Sequence, residues 1–112
     1  MSRTALTGWG RSTRSTADVT APASVDDVVD AVRSARARRT DPATRGTARG
    51  VLPRGLGRSY GDAAANGGGA VLDLVGFGGI GPIAPDGSVD VGAGVSIGQL
   101  IDAAVPQGWF VP

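Results

Sequence analysis

Cysteine, histidine, lysine and glutamate are all absent from this 112-residue chain. Without cysteine there is no disulfide, thiolate metal site or thiol nucleophile within it. Without histidine the commonest general base and the commonest metal ligand are missing as well. No metal site is assigned. Aromatic residues make up only 4%, so Ala and Val must do most of the packing within an apolar fraction of 41%. No run approaches the roughly 20 apolar residues of a membrane span. The opening "MSRTALTGWGRS" has no apolar core of the kind an export signal carries. A soluble chain is expected, the size of one small domain or part of a larger one.

Every cation is Arg and every anion is Asp, 11 against 10, for a net charge of +1. The balance leaves no electrostatic footprint for nucleic acid. The one-sided choice of Arg and Asp reads as codon bias in a GC-rich genome. Arginine nevertheless grips anions in a bidentate fork that lysine cannot reproduce.

Glycine, by contrast, is abundant, with 19 residues. The densest stretch is "VLPRGLGRSYGDAAANGGGAVLDL", residues 51–74, where two short apolar runs flank a bare, donor-rich loop. Around it the chain reads as an α+β domain in the order β–α–β–β–β–β–α–β. Residues 1–17 are polar and aperiodic and read as an N-terminal arm, with Trp9 as a local packing plug. Residues 18–112 form the domain, opening on a short strand, "DVTAP". Ser24 and Asp27 have the spacing of a capping box, and Val25, Val28, Val29 and Val32 give the following helix one apolar face. Arg33, Arg36, Arg38 and Arg39 fall near its end as a solvated face that suits the helix dipole. "RGVLP" and "AVLDL" read as strands, and "PIAPDGSVDVGAG" as a hairpin turning at Pro85, Asp86 and Gly87. Ser96 and Gln99 box a second helix, Gly108 ends it, and "WFVP" starts another strand. A strand beginning at the last residue implies a domain cut short, because finished domains cover such edges.

Glycine lets the main chain reach a ligand with no Cβ in the way. Successive amides can then form a concave nest for phosphate. "RGLGRSYGD" offers such amides, the Ser59 hydroxyl and two guanidiniums, a suitable cradle for a dinucleotide diphosphate. The spacing excludes two better-known phosphate loops. Gly55 and Gly57 fit G-x-G-x-x-G, but Tyr60 occupies the third position and no helix follows. A P-loop needs a lysine, and there is none. A tight inter-strand loop without ligand remains the alternative at this level. Asn66 and the three glycines after it read as turn residues.

Three stretches in order, "LTGWGR", "RGLGRSYGDAAANGGG" and "VDVGAGVSIGQLIDAAVPQGWFVP", resemble the N-terminal part of the decaprenylphosphoryl-ribose 2′-oxidases. These are FAD enzymes of the vanillyl-alcohol-oxidase superfamily with a PCMH-type cofactor domain. The resemblance runs from Leu6 to Pro112 and corresponds to the first lobe of that domain. It implies FAD contacts at Pro53, Arg54, Gly55, Leu56, Gly57, Arg58, Ser59, Tyr60, Gly61, Asp62 and Ala63. Pro53 has no amide to donate, and Ala63 replaces the asparagine expected of close relatives. Many superfamily members bond flavin covalently through a histidine at the place of Arg58, so the resemblance implies non-covalent FAD here. Arg58 either screens the diphosphate or pairs with Asp62. Tyr60 packs either on the flavin or under the loop, and Asp62 ties the loop's own amides.

The resemblance further implies oxidation of the 2′-hydroxyl of a polyprenyl-phosphate ribose, with hydride passing to flavin N5. An NAD(P)H-dependent reductase partner then completes an epimerisation for cell-wall arabinan. The lipid-linked substrate implies peripheral membrane association, with a cytoplasmic or cell-envelope location. The substrate domain lies outside these residues, so no catalytic residue is named. Two alternatives stand beside this reading: another FAD-dependent sugar or alditol oxidase, and an inactive nucleotide-binding fragment.

Overall fold

The computed structural model describes residues 2–112, in two compact units, Met1–Leu74 and Val75–Pro112. The first unit is built on a four-stranded sheet. Strand β1 (Ser2–Thr7) pairs antiparallel with β2 (Arg14–Thr20), in a register that sets Ser2 opposite Val19 and Thr7 opposite Arg14. Helix α1 (Val25–Thr40) follows, and then come β3 (Val51–Arg54) and β4 (Ala70–Asp73). The spatial order is β1-β2-β4-β3, with β4 parallel to both of its neighbours.

This corrects the reading of the N-terminal segment. Residues 2–17 supply β1 and the first half of β2, so the boundary drawn at residue 17 falls inside a strand. Alternation of Ser, Thr and Arg carries no apolar signal, yet edge-strand hydrogen bonding needs only the backbone. The first predicted strand also shifts upstream, ending at Thr20 rather than Pro22.

Central position explains the composition of β4. Val71 and Leu72 point to opposite faces, and both are buried, as expected of a strand covered on both sides. Ala17, Ala35 and Ala64 complete the core of this unit, which is small because its side chains are small. Pro53 sits on β3, the sheet's other edge, where a missing amide leaves no ladder bond unmade.

Both predicted capping boxes are present. Ser24 Oγ accepts from the Asp27 amide at 3.2 Å, and the Asp27 carboxylate accepts from the Ser24 amide at 3.1 Å. Such a cap contributes about 1 kcal/mol. Val28 and Val29 of α1 are half-buried, whereas Val25 and Val32 are exposed.

The second unit contains helix α2 (Ile97–Ala104), boxed by Ser96 and Gln99, and a 3-10 turn at Val105–Gln107. Gly108 closes that turn in a left-handed conformation (φ 83°). The predicted hairpin survives as a chain reversal without a regular ladder. Its turn lies where expected: the Ala84 amide donates to the Ser88 carbonyl, and Gly87 has φ 88°. The Ser88 amide and hydroxyl both donate to the Asp86 carboxylate, at 2.9 and 2.7 Å, and hold its carboxyl below the usual range. The arms start earlier than predicted, because Gly94 and Gly92 donate to Phe77 and Gly79. Only Ile80 and Val91 form a β-bridge, since glycines give a ladder no side chains to pack. Nor does "WFVP" form a strand. The Trp109 amide instead bonds the Ala104 carbonyl, which extends the helix cap. The observed order is therefore β–β–α–β–β–α within the same α+β class.

Candidate functional site: the glycine loop

Parallel neighbours such as β3 and β4 cannot be joined by a tight turn; they need a crossover of a dozen residues or so. Residues 55–69 are that crossover, and they contain no helix. Backbone polar groups in such a segment must find partners in water, protein or ligand. None of the amides of residues 55–64 donates a hydrogen bond to another described residue, and the first to do so is Ala65, to the Asp62 carbonyl at 2.9 Å. The side chains of Arg58, Ser59 and Asp62 are exposed and likewise make no bond within the described chain. The loop is thus a continuous run of amides that the rest of the described chain leaves unpaired, ending at the buried Ala64.

Its glycines differ in what they do. Gly57 and Gly61 have φ of 70° and 61°, where a side chain would be strained. Gly55 has neither a positive φ nor any atom within 4 Å of where a Cβ would sit. Nothing inside the chain requires glycine there, whereas close approach of a ligand to the main chain would. That bare position, together with the open amides, fits a diphosphate.

The guanidinium of Arg54 lies under the loop. Its Nη1 donates to the Ala64 carbonyl and its Nη2 to the Thr7 carbonyl, each at 2.7 Å. Gly57 rests against it: a Cβ at Gly57 would lie 2.6 Å from the Arg54 Cζ. The underside is therefore filled by Arg54 and not by Tyr60, which is 81% exposed and meets Trp9 edge-on with ring centroids 5.6 Å apart. Trp9 is 65% exposed, so it is no buried plug. Its amide donates to the Ser59 carbonyl at 3.3 Å, and Gly8 abuts the Gly61 carbonyl so closely that no Cβ fits. The tip of the β1–β2 hairpin thus buttresses the loop.

Of the eleven sequence-predicted contacts, Pro53 and Arg54 end β3 and the other nine follow consecutively. Arg58 and Asp62 form no ion pair with each other, and the Asp62 carboxylate does not tie the loop's amides; only the Asp62 carbonyl does so. Asn66 does more than turn the chain. Its carboxamide nitrogen donates to the carbonyls of Gly50 and Ala70, at 2.9 and 3.0 Å, and so clamps the starts of β3 and β4 together. Neither Gly8 nor the clamping role of Asn66 carried a local signal, because their partners lie far away in sequence or on strands whose pairing the sequence does not show. Among the described residues no group of His, Cys, Asp or Glu is placed to hold a metal ion, and no helix is long and apolar enough to cross a membrane.

Comparison with known proteins bears on the same residues. A family model described as an FAD binding domain matches residues 16–112. Over 109 residues the chain is 46% identical to decaprenylphosphoryl-beta-D-ribose oxidase of Mycolicibacterium smegmatis. The match covers 96% of this chain and 22% of that oxidase, so the chain spans about a fifth of its relative's length.

Proposed function

This chain belongs to the FAD-binding domain family, and from that premise we propose that it is the diphosphate-holding lobe of an FAD-dependent oxidoreductase acting on CH–OH groups. The carrying observation is the run of open amides at residues 55–64, beside a Gly55 that the fold itself does not require. FAD, when bound, supplies the two-electron chemistry that oxidises an alcohol to a ketone. This chain's residues bind and orient. Backbone amides of residues 55–59 donate to the diphosphate, the Ser59 hydroxyl adds a donor, and the exposed Arg58 guanidinium screens its charge. Tyr60 offers an exposed aromatic face to the flavin. The remaining contacts are assigned at Pro53, Leu56, Gly61, Asp62 and Ala63 through backbone and edges, while Arg54 supports the loop from beneath.

The substrate we propose is decaprenylphosphoryl-ribose, oxidised at its 2′-hydroxyl, with an NAD(P)H-dependent reductase consuming the ketone. The support is the relative's name and the identity over this lobe. A polyprenyl substrate places the work at a membrane surface. The test is anaerobic reduction of the intact protein's flavin by decaprenylphosphoryl-ribose, against soluble sugar alcohols. Bleaching by the lipid-linked ribose alone is expected; bleaching by alditols alone would replace this substrate with a soluble one.

We infer that FAD is held without a covalent bond: Arg58 stands where a linking histidine would be, and these 112 residues contain no histidine or cysteine to supply a link. Acid precipitation of the intact protein should leave the yellow colour in the supernatant. A yellow pellet would refute that attachment.

A further inference from the structure

We propose that Arg54 is a positioning residue of the diphosphate site and not one of its direct ligands. This rests on the FAD reading above. The guanidinium faces inward, and its two terminal nitrogens are committed to carbonyls that neighbour each other only in the fold. Ala64 is 10 residues away in sequence and Thr7 is 47 away. Ala64 is buried, so the far end of the loop is anchored in the core at the point where Arg54 holds it. Gly57, at the crest, has no room for a methyl group against the same guanidinium. One side chain thus fixes the crest of the loop, its end and the tip of β1. The open amides hang between those fixed points.

Charge strengthens the arrangement. Charge-assisted hydrogen bonds are shorter and stronger than neutral ones, and the 2.7 Å distances are in that range. Both acceptors of the Arg54 guanidinium are neutral main-chain carbonyls. The geometry needs a planar fork, because two carbonyls approached from different elements must both be reached. A lysine carries the charge but only a compact ammonium.

That difference separates positioning from direct contact. In the intact protein, Arg54→Lys and Arg54→Met are each expected to weaken FAD binding about tenfold or more, within about threefold of each other. Competition against FAD gives a second readout. ADP, which carries the diphosphate, should weaken by the same factor, and adenosine should not change. If Arg54→Lys keeps near wild-type affinity while Arg54→Met loses it, Arg54 is a phosphate ligand and the proposal fails. Equal weakening of ADP and adenosine would reduce Arg54 to a general stabiliser and would also overturn it. Should Arg54→Met not fold, Arg54→Gln takes its place under the same criteria. Wild-type protein that binds no FAD would sink the underlying functional reading, whereas wild-type binding with unaffected variants would sink this inference alone.

Discussion

Gly57→Ala is expected to cost about 3 kcal/mol of stability and most of the FAD affinity. Gly57 has φ 70°, where alanine is disfavoured by about 1–2 kcal/mol. The new methyl would also occupy the space of the Arg54 guanidinium, 2.6 Å from its Cζ. Arginine is flexible enough to move aside, but doing so breaks its bonds to Thr7 and Ala64. Bonds from a charged donor contribute about 1.5–3 kcal/mol each, and partial loss makes up the remainder. Gly55→Ala is the matched control, since that site has open space and no positive φ. Stability there should stay within about 0.5 kcal/mol of wild type. On the proposed function FAD affinity should still fall, because the methyl would enter the open space left for the diphosphate. Urea midpoints and FAD titration of the intact protein check both variants. An unchanged midpoint for Gly57→Ala would mean that Arg54 does not hold the loop; unchanged affinity for Gly55→Ala would move the diphosphate elsewhere.

Gly92→Ala should be comparably damaging, for a different reason. Here the backbone dihedral permits alanine, but a Cβ would collide with the carbonyl oxygens of Phe77 and Gly78. Both obstacles are main chain, so neither can swing away as a side chain would. The arms of the 77–94 reversal must separate, breaking the Gly92–Gly79 and Gly94–Phe77 bonds at 2.8 Å. Overpacking costs about 1–3 kcal/mol, and two lost backbone bonds add about 1 kcal/mol each, for roughly 3 kcal/mol or more. Amide hydrogen exchange at Gly92 and Gly94 should become fast. Protection equal to wild type would show that the arms are held by something other than this contact. Gly76→Ala, with no atom within 4 Å, should leave exchange unchanged.

These two glycines show what can be read in advance and what cannot. "RGLGRSYGD" stands out in the sequence, but nothing in its spacing says that Gly57 is required by Arg54 while Gly55 is not required by the fold. Gly92 stands out even less, because its reason lies in Phe77 and Gly78, across a reversal that has only one β-bridge. Arg54 was legible as a member of the site, and its inward direction was not. Asn66 read as a turn residue because its bonds to Gly50 and Ala70 depend on β3 and β4 lying side by side.

By itself the sequence determined the α+β class, the two capping boxes, the turn at Asp86–Gly87, strands β3 and β4, and the loop that belongs to an FAD-binding domain. All of these rest on interactions a few residues long, or on a motif read in one piece, so neighbouring residues suffice to specify them. Tertiary structure alone decided that the Ser/Thr/Arg segment is an edge strand, that β4 lies between β2 and β3, and that Arg54 reaches from β3 to Thr7. Those features depend on backbone groups brought together by chain closure. A carbonyl has the same chemistry at every residue, so no residue type announces which one will be in reach.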